Sequence, residues 1–434
     1  MSPPRTSASR GVLRSVLVAE VLSMSGSQLS AVAMPWFVLE STGSAADMGV
    51  VMAAQMIAVA LFGVLGAALS GRLGPRRVLV ASDYSRALLV ALVPLLHQAG
   101  LLPLPLIMLL LFAIGSFFAP YTASQQALLP FLAGEDEKLL SQANANLQGA
   151  TRLAILIAPP VSGLLVSWLG APSVLLLDAG TYLVSALILG FRVPRGLAPP
   201  VPTARRNTRA AVRVLRRDRL LSCWTIGQVL TETAWQALFV LLPVLAREQY
   251  GGTATLAGLL LGAFGGGALS GTLLVGRALR RLSPTRLSVL GRIGQTAAFF
   301  LLLLPLNAPG LAAVLFTAGL LNGLSNGPIA AVRTARIPAP LRSTALTLIA
   351  ALGLTGGSVG LVASGAAAES LSPHTVFAWL TLCQVLGAVC FVLGARRPRR
   401  ETAAEVPRET GPPVPMPPRP GHDPRPPRPD SPDA

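Results

Sequence analysis

The chain has 434 residues, 52% of them hydrophobic and only 12% charged, with a formal net charge of +17. Soluble domains carry about 25% charged residues, so this composition excludes an ordinary soluble globular protein. In a soluble protein the positive excess would point to nucleic acid; here it sits on short connections and a tail, where it orients a membrane protein and meets anionic headgroups. No nucleic-acid partner is expected.

A bilayer core takes about 20 apolar residues per helix, and backbone groups in lipid must be satisfied within the segment. The apolar stretches predict twelve membrane helices: 12–39, 46–70, 78–98, 103–126, 142–168, 172–191, 219–245, 253–279, 286–306, 309–332, 342–368 and 372–395. The expected fold class is an all-α membrane protein. Its expected parts are a cytoplasmic N-terminus (1–11), a six-helix half (12–191), a basic cytoplasmic linker (192–218), a second six-helix half (219–395) and a tail (396–434). The tail is rich in proline and arginine, cannot pack a core and is expected to be disordered. Ala31-Val32-Ala33 has the pattern of a signal-peptidase site, but the apolar run continues to Leu39, so an uncleaved first helix is expected.

Arginines fall on alternate connections. Arg72, Arg76 and Arg77 follow the second span, nine arginines lie between Arg192 and Arg219, and Arg277, Arg280, Arg281 and Arg286 follow the eighth. Arg333, Arg336 and Arg342 follow the tenth, and Arg396, Arg397, Arg399 and Arg400 the last, whereas the intervening connections hold only Arg247. Basic loops stay in the cytoplasm, so both termini are expected there. The skew of 34 arginines to the single lysine Lys138 fits a GC-rich genome, and the expected location is a bacterial plasma membrane. Arg206, Arg209, Arg213 and Arg216 in the linker have helical spacing and predict a surface helix on the cytoplasmic leaflet.

The chain repeats itself at an offset of about 208 residues. Val21-Leu22, Gln28, Pro35 and Glu40 recur as Val229-Leu230, Gln236, Pro243 and Glu248; Gly115, Pro120, Ala127 and Pro130 recur as Gly323, Pro328, Ala335 and Pro338. Arg72-Leu73-x-Pro75-x-Arg77 returns as Arg281-Leu282-x-Pro284-x-Arg286. Two six-helix repeats joined by a linker are one plan for a secondary transporter, with substrate bound between the halves.

Several motifs resemble those of the major facilitator superfamily, above all its enterobactin and macrolide exporters. Ala33-Met34-Pro35-Trp36-Phe37-Val38-Leu39 followed by Thr42-Gly43-Ser44 resembles the first helix of that group. Leu69-x-x-Arg72-Leu73-Gly74-x-Arg76-Arg77 resembles the signature loop between helices 2 and 3, and Pro160-x-x-Gly163 part of the antiporter signature. The resemblance covers about 12–395 and implies twelve helices in two pseudo-symmetric halves, a cavity lined by helices 1, 4, 7 and 10, and export. Gly71 stands at the signature's acidic position, Pro159 replaces a glycine, and helix 4 lacks an arginine that many proton-coupled members carry. These departures weaken the inference of a cytoplasmic charge latch and of the commonest proton-coupling arrangement.

Ionisable groups inside the bilayer are costly and tend to be functional. Glu232 ranks first as a proton or substrate carrier, because Trp235, Gln236 and Phe239 follow it at i+3, i+4 and i+7 on one stripe. Such a stripe suits a large amphipathic cation, and the competing reading is a structural glutamic acid bonded to a neighbouring helix. Glu20 heads a stripe of Ser23, Ser27 and Ser30, and Asp178 lies in the sixth span; each reads as a translocation group or as a packing partner. Asp83 and Arg86, at i and i+3, are expected to pair near the cytoplasmic boundary as a latch or anchor. Arg152 and Arg292 are candidate intramembrane cations. Gln28, Tyr121, Ser124, Gln125, Asn322 and Asn326 are expected to line the cavity, the alternative being ordinary bonding between helices. Arg72, Gly74, Arg76 and Arg77, with Pro160 and Gly163, are expected in gating by resemblance.

Glycine pairs at GxxxG spacing, Gly262/Gly266, Gly267/Gly271, Gly353/Gly357, Gly356/Gly360 and Gly319/Gly323/Gly327, predict close helix approach. Helices 8 and 11 are expected to cross the opposite half and slide on it, with Gly266 the expected sensitive position. Cys223, Cys383 and Cys390 have neither disulfide nor metal spacing. Gly356-Gly357-Ser358-Val359-Gly360 matches a nucleophile elbow, but it lies in an apolar helix far from any strand–turn–helix context. No enzyme activity and no cofactor are expected. The expected function is secondary active export of a hydrophobic or amphipathic small molecule, such as a drug, macrolide or siderophore, by proton antiport, from a monomer. The alternatives are a nutrient importer of the same fold and a non-transporting membrane sensor.

Overall fold

The structure is a computed structural model and describes residues 6–133, 137–194 and 208–396. The proline-rich tail and Arg206 lie outside the described residues, as does the side chain of Arg152. The helices are α1 (Thr6–Thr42), α2 (Ala45–Leu73), α3 (Pro75–Gln98), α4 (Leu104–Ala133), α5 (Glu137–Leu169), α6 (Ala171–Arg192), α7 (Thr208–Arg217), α8 (Arg219–Glu248), α9 (Ala254–Ala278), α10 (Pro284–Leu301), α11 (Ala308–Arg336), α12 (Arg342–Ser370) and α13 (Pro373–Ala395). Apart from α7, they follow the predicted segments in order.

Among the described residues, 11 helices are long and apolar enough to cross a membrane, and α10 is not one of them. It has 18 residues and carries Arg286, Arg292 and Gln295. Arg292 and Gln295 are buried and bonded to each other at 2.8 Å, so the polarity of α10 is directed into protein. Its end also falls earlier than predicted, at Leu301.

Helix boundaries follow local chemistry. Asp218, Ser283, Asn307 and Ser372 accept from the backbone amides of Leu221, Arg286, Gly310 and Thr375, satisfying first-turn donors that have no helical partner. Gly74 adopts φ 84° before Pro75, a conformation that favours glycine, and so starts α3 immediately after α2. Arg76 then reaches α6: its Nε donates to Val193 O at 2.7 Å, and its Nη2 donates to Gly190 O. This signature arginine ties the α2–α3 corner to the last turn of α6.

Helix α1 packs on α5 and α6, α2 on α4, and α3 on α4 and α6. Helix α8 packs on α12 and α13, α9 on α11, and α10 on α11 and α13. The second set of pairings is the first with every number raised by seven. Between the two groups, α2 meets α12 and α5 meets α9, and the same shift exchanges these contacts.

The apolar cores divide unequally. At the arginine-rich end, Leu13, Val16, Leu79, Leu128 and Leu189 form one core, while Leu220, Trp224, Ile329, Ile337 and Phe391 form another. At the opposite end, Phe37, Val38, Met48, Ile107 and Val174 share a core with Val240, Val244, Ala254 and Leu361 of the later helices. Leu88, Leu109, Leu273 and Val359 are exposed around the bundle, where lipid would cover them.

The linker helix differs from the expected leaflet-bound one. The apolar face of α7 is used inside the protein, with Ala211 and Leu215 buried in the core around Trp224 and Ile337. Arg209, Arg213, Arg216 and Arg217 are exposed on the other face, and Asp218 pairs with Arg336 at 2.9 Å.

Candidate functional site

A cavity of about 350 Å³ lies between the two helix groups. From α1 it takes Ser27, Gln28, Ser30 and Met34; from α2, Met52, Gln55 and Met56. Arg86 of α3, Phe118 of α4, and Asp178 and Tyr182 of α6 continue the wall. Gln236 and Phe239 of α8 and Leu354 and Leu361 of α12 close it. Thioethers and aromatic rings adapt to varied apolar shapes, while the amides offer neutral hydrogen bonds.

One wall is ionic. Arg86 Nη2 bonds Asp83 Oδ1 at 2.6 Å, with both side chains buried. The guanidinium lies between two rings, 4.2 Å from the centroid of Tyr121 and 4.5 Å from that of Tyr182. Asp83 also accepts from Ser185 at 2.6 Å and from Ser23 at 3.4 Å. The pair was expected near the cytoplasmic boundary, but α3 begins three residues earlier than predicted. Arg86 therefore lies about 16 Å into the helix at 1.5 Å per residue, and it reaches the cavity.

The polar stripe of α1 supplies the opposing surface. Ser27 bonds Tyr182 at 2.7 Å, and Ser30 donates to Asp178. Asp178 is only 1% exposed, and its described hydrogen bonds come from the hydroxyls of Ser30 and Thr181. Glu20 is also buried and accepts from Gln125 at 2.7 Å. The stripe Glu20, Ser23, Ser27, Ser30 thus meets α4, α3, α6 and α6 in turn.

A second polar network lies among the later helices. Arg292 donates to Gln295 and Asn326 at 2.8 Å, and to Gln228 at 3.4 Å. Asn326 donates to Asn322 at 2.8 Å, and Arg333 to Trp224 O at 2.7 Å. Glu232 accepts from Gln236 at 3.0 Å.

The expected site residues therefore separate. Gln28, Gln236, Phe239 and Asp178 line the cavity, while Glu232, Trp235, Asn322 and Asn326 lie outside its wall. Trp235 stacks on Phe264 of α9 at 3.5 Å and stands edge-on behind Phe239 at 5.4 Å. Tyr121, Ser124 and Gln125 are in the layer behind, with Tyr121 supporting Arg86 and Gln125 holding Glu20. Met52, Gln55 and Met56 were not expected in the cavity, although their i, i+3, i+4 spacing marks one face of α2. Nor was Tyr182, which lies four residues after Asp178.

The glycines sort by neighbour. A Cβ at Gly258 would stand 3.0 Å from Gly163 Cα and would clash with Pro159 O, so α9 and α5 meet backbone to backbone at Pro160-x-x-Gly163. Gly49 of α2 and Leu361 of α12 make the matching contact. Gly267, Gly271, Gly319 and Gly323 instead join α9 to α11, and Gly360 meets Thr233 of α8. Gly266, the expected sensitive position, has only the Leu156 side chain at 3.1 Å and the Phe316 ring beyond.

The fold and central cavity define an integral membrane transporter. The Major Facilitator Superfamily pattern matches residues 16–361 and 225–426, and the chain belongs to that superfamily. It is similar to the multidrug efflux pump Tap of Mycolicibacterium fortuitum, with 27% identity over 401 residues covering 89% of this chain and 96% of that protein. Macrolide efflux protein A of Streptococcus pyogenes is 22% identical over 268 residues, 60% of this chain and 65% of its own. The crystal structure of a bacterial homologue of the human lysosomal transporter Spinster, inward-facing and unoccupied, matches with a TM-score of 0.67 at 15% identity, covering 91% of this chain and 96% of that one. This is a bacterial multi-pass membrane protein of the plasma membrane and a secondary transporter of small molecules.

Proposed function

We propose that the chain exports hydrophobic or amphipathic small molecules, with cations favoured, in exchange for protons. Twelve helices in two related six-helix halves, 12–191 and 219–395, would rock about the cavity, with both termini in the cytoplasm. The shifted repetition of helix pairings supports two halves, and the arginine pattern supports the orientation. The curated relatives' names, a multidrug pump and a macrolide efflux protein, support the direction and the substrate class.

The cavity carries the reading. Its wall is mostly apolar, with Met34, Met52, Met56, Phe118 and Phe239, and it presents Asp178 to a bound molecule. A cation gains from the carboxylate and from aromatic faces, while the apolar wall rewards a large hydrophobic body. A sugar importer would need a denser set of hydrogen-bonding groups.

Proton exchange is assigned to Asp178, with Glu20 buried further along the same α1 stripe. Asp178 lies in the cavity wall and its described hydrogen bonds come from hydroxyls, so substrate amine and proton compete for one carboxyl. Glu232 lies outside that wall and stands second. Arg86 bears on the missing helix-4 arginine: its guanidinium comes from α3 but rests on the ring of Tyr121 in α4. In this reading Asp83 and Arg86 remain paired, with the guanidinium held between the rings of Tyr121 and Tyr182.

The test is accumulation in inside-out vesicles of a fluorescent amphipathic cation such as ethidium. Energised vesicles containing the protein are expected to accumulate it faster than control vesicles. Equal accumulation of ethidium and of a further panel of amphipathic dyes in both would overturn the export reading.

A further inference from the structure

The two helix groups are joined by polar contacts at their outer ends, the ends away from the arginine-rich connections. Glu369, in the last turn of α12, accepts from the Ser44 hydroxyl and from the Ala46 amide at 3.2 Å. Ser44 precedes α2, and its own Oγ accepts from Asp47 N at 3.0 Å. The Glu369 carboxylate therefore caps the N-terminus of a helix in the other group, where the helix dipole favours negative charge. Arg247, near the end of α8, donates from Nη1 to Leu39 O at 3.1 Å in the last turn of α1. There the dipole favours positive charge. Each charge thus sits on the helix end of opposite sign in the other group.

A third contact is neutral: Ser167 of α5 bonds Thr255 of α9 at 2.8 Å, and Thr255 also reaches Gly163 O at 3.3 Å. These α5–α9 bonds occupy the place related by the repeat to the Glu369 contact between α2 and α12. Arg247 is likewise the repeat counterpart of Leu39, whose carbonyl it holds. It is the only basic residue in the outer connections, so topology alone gives it no role. The shared apolar core lies just beneath, whereas at the arginine-rich end each group keeps its own.

We infer that Glu369 and Arg247 form an outer clasp that holds the cavity shut from the outside and must release before substrate leaves. The inference rests on the transport reading for its consequence, but the clasp itself is a property of the two helix groups. Substrate export requires the outer ends to part, which breaks both charge-assisted contacts and exposes the core around Phe37 and Val244. The neutral Ser167–Thr255 side gives way more easily, so separation begins there and the clasp sets the threshold. Glu369 and Arg247 are accordingly gating residues that do not touch substrate.

The test is a distance measurement by pulsed electron spin resonance. Nitroxide labels go on Leu101→Cys in the α3–α4 connection and Leu304→Cys in the α10–α11 connection, with Cys223, Cys383 and Cys390 replaced by serine. Purified full-length protein is reconstituted in nanodiscs, and Glu369→Gln, Arg247→Gln and the double variant are compared with the parent. The double variant is expected to raise the ratio of long-distance to short-distance molecules about tenfold, a shift within the range of a differential contact between two states. Each single variant is expected to give a smaller rise. Distance distributions in the double variant equal to those of the parent would overturn the clasp. Dye export by the same variants in proteoliposomes separates the two readings: a shifted distribution without export leaves the clasp standing and removes the exporter, whereas export with an unshifted distribution does the reverse.

Discussion

Gly258→Leu tests the α5–α9 crossing. At Gly258 a Cβ would stand 3.0 Å from Gly163 Cα and overlap Pro159 O, both backbone atoms that cannot rotate aside. The helices must separate to admit it, and overpacking of this kind costs about 1–3 kcal/mol. The crossing joins the two helix groups below the Ser167–Thr255 contact. The cost therefore falls on the outer-closed arrangement and not on one in which the groups have parted. At about 1.4 kcal/mol per decade, the equilibrium shifts toward the outer-open form by roughly fivefold to a hundredfold. Export of ethidium from proteoliposomes is expected to slow by a similar factor, with unchanged amounts of protein in the membrane and a larger long-distance fraction between labels at 101 and 304. Gly266→Ala is the contrast, since its neighbour is the flexible end of Leu156 at 3.1 Å, and it is expected to keep most activity. Wild-type export and distances in Gly258→Leu would show that the α5–α9 crossing does not hold the outer ends together.

Asp178→Asn is expected to retain dye binding at reduced affinity and to lose acceleration of export by a pH gradient. Glu232→Gln is expected to keep it; the opposite pattern in ΔpH-jump experiments would return the proton to α8. Phe239→Ala, which removes an aromatic wall of the cavity, is expected to raise the half-saturating concentration of an amphipathic cation about tenfold. Trp235→Ala is expected to lower the melting temperature instead, because that ring stacks on Phe264; dye-transport kinetics and thermal unfolding in detergent distinguish the two.

The apolar segments and the repetition of their pairings were legible because bilayer thickness and backbone hydrogen bonding leave few alternatives. The α1 stripe was also legible: Glu20, Ser23, Ser27 and Ser30 share a face, and each meets a polar partner. Periodicity identifies a face, however, and not the neighbour that it meets. Glu232, Trp235, Gln236 and Phe239 read as one stripe, yet a stripe spanning i to i+7 is wide enough to divide, and Trp235 turns toward α9 while Gln236 and Phe239 reach the cavity. The depth of Arg86 depended on where α3 begins, and Pro75 after the positive-φ Gly74 set that point. The α2 face of Met52, Gln55 and Met56 carried no charge to draw attention, although polarizable side chains suit a variable ligand. The arginines of α7 suggested a membrane surface, but its apolar contacts, Ala211, Val214 and Leu215, were too few to reveal that protein would cover them.

The central claim is exchange of an amphipathic molecule for protons, and simultaneous recording of both fluxes tests it most directly. Proteoliposomes containing the purified protein and a trapped pH-sensitive dye receive ethidium without an imposed gradient. Proton movement opposite to ethidium movement is expected, dependent on both protein and ethidium, and abolished in Asp178→Asn while ethidium still binds. Ethidium flux with no accompanying change in internal pH would contradict the exchange.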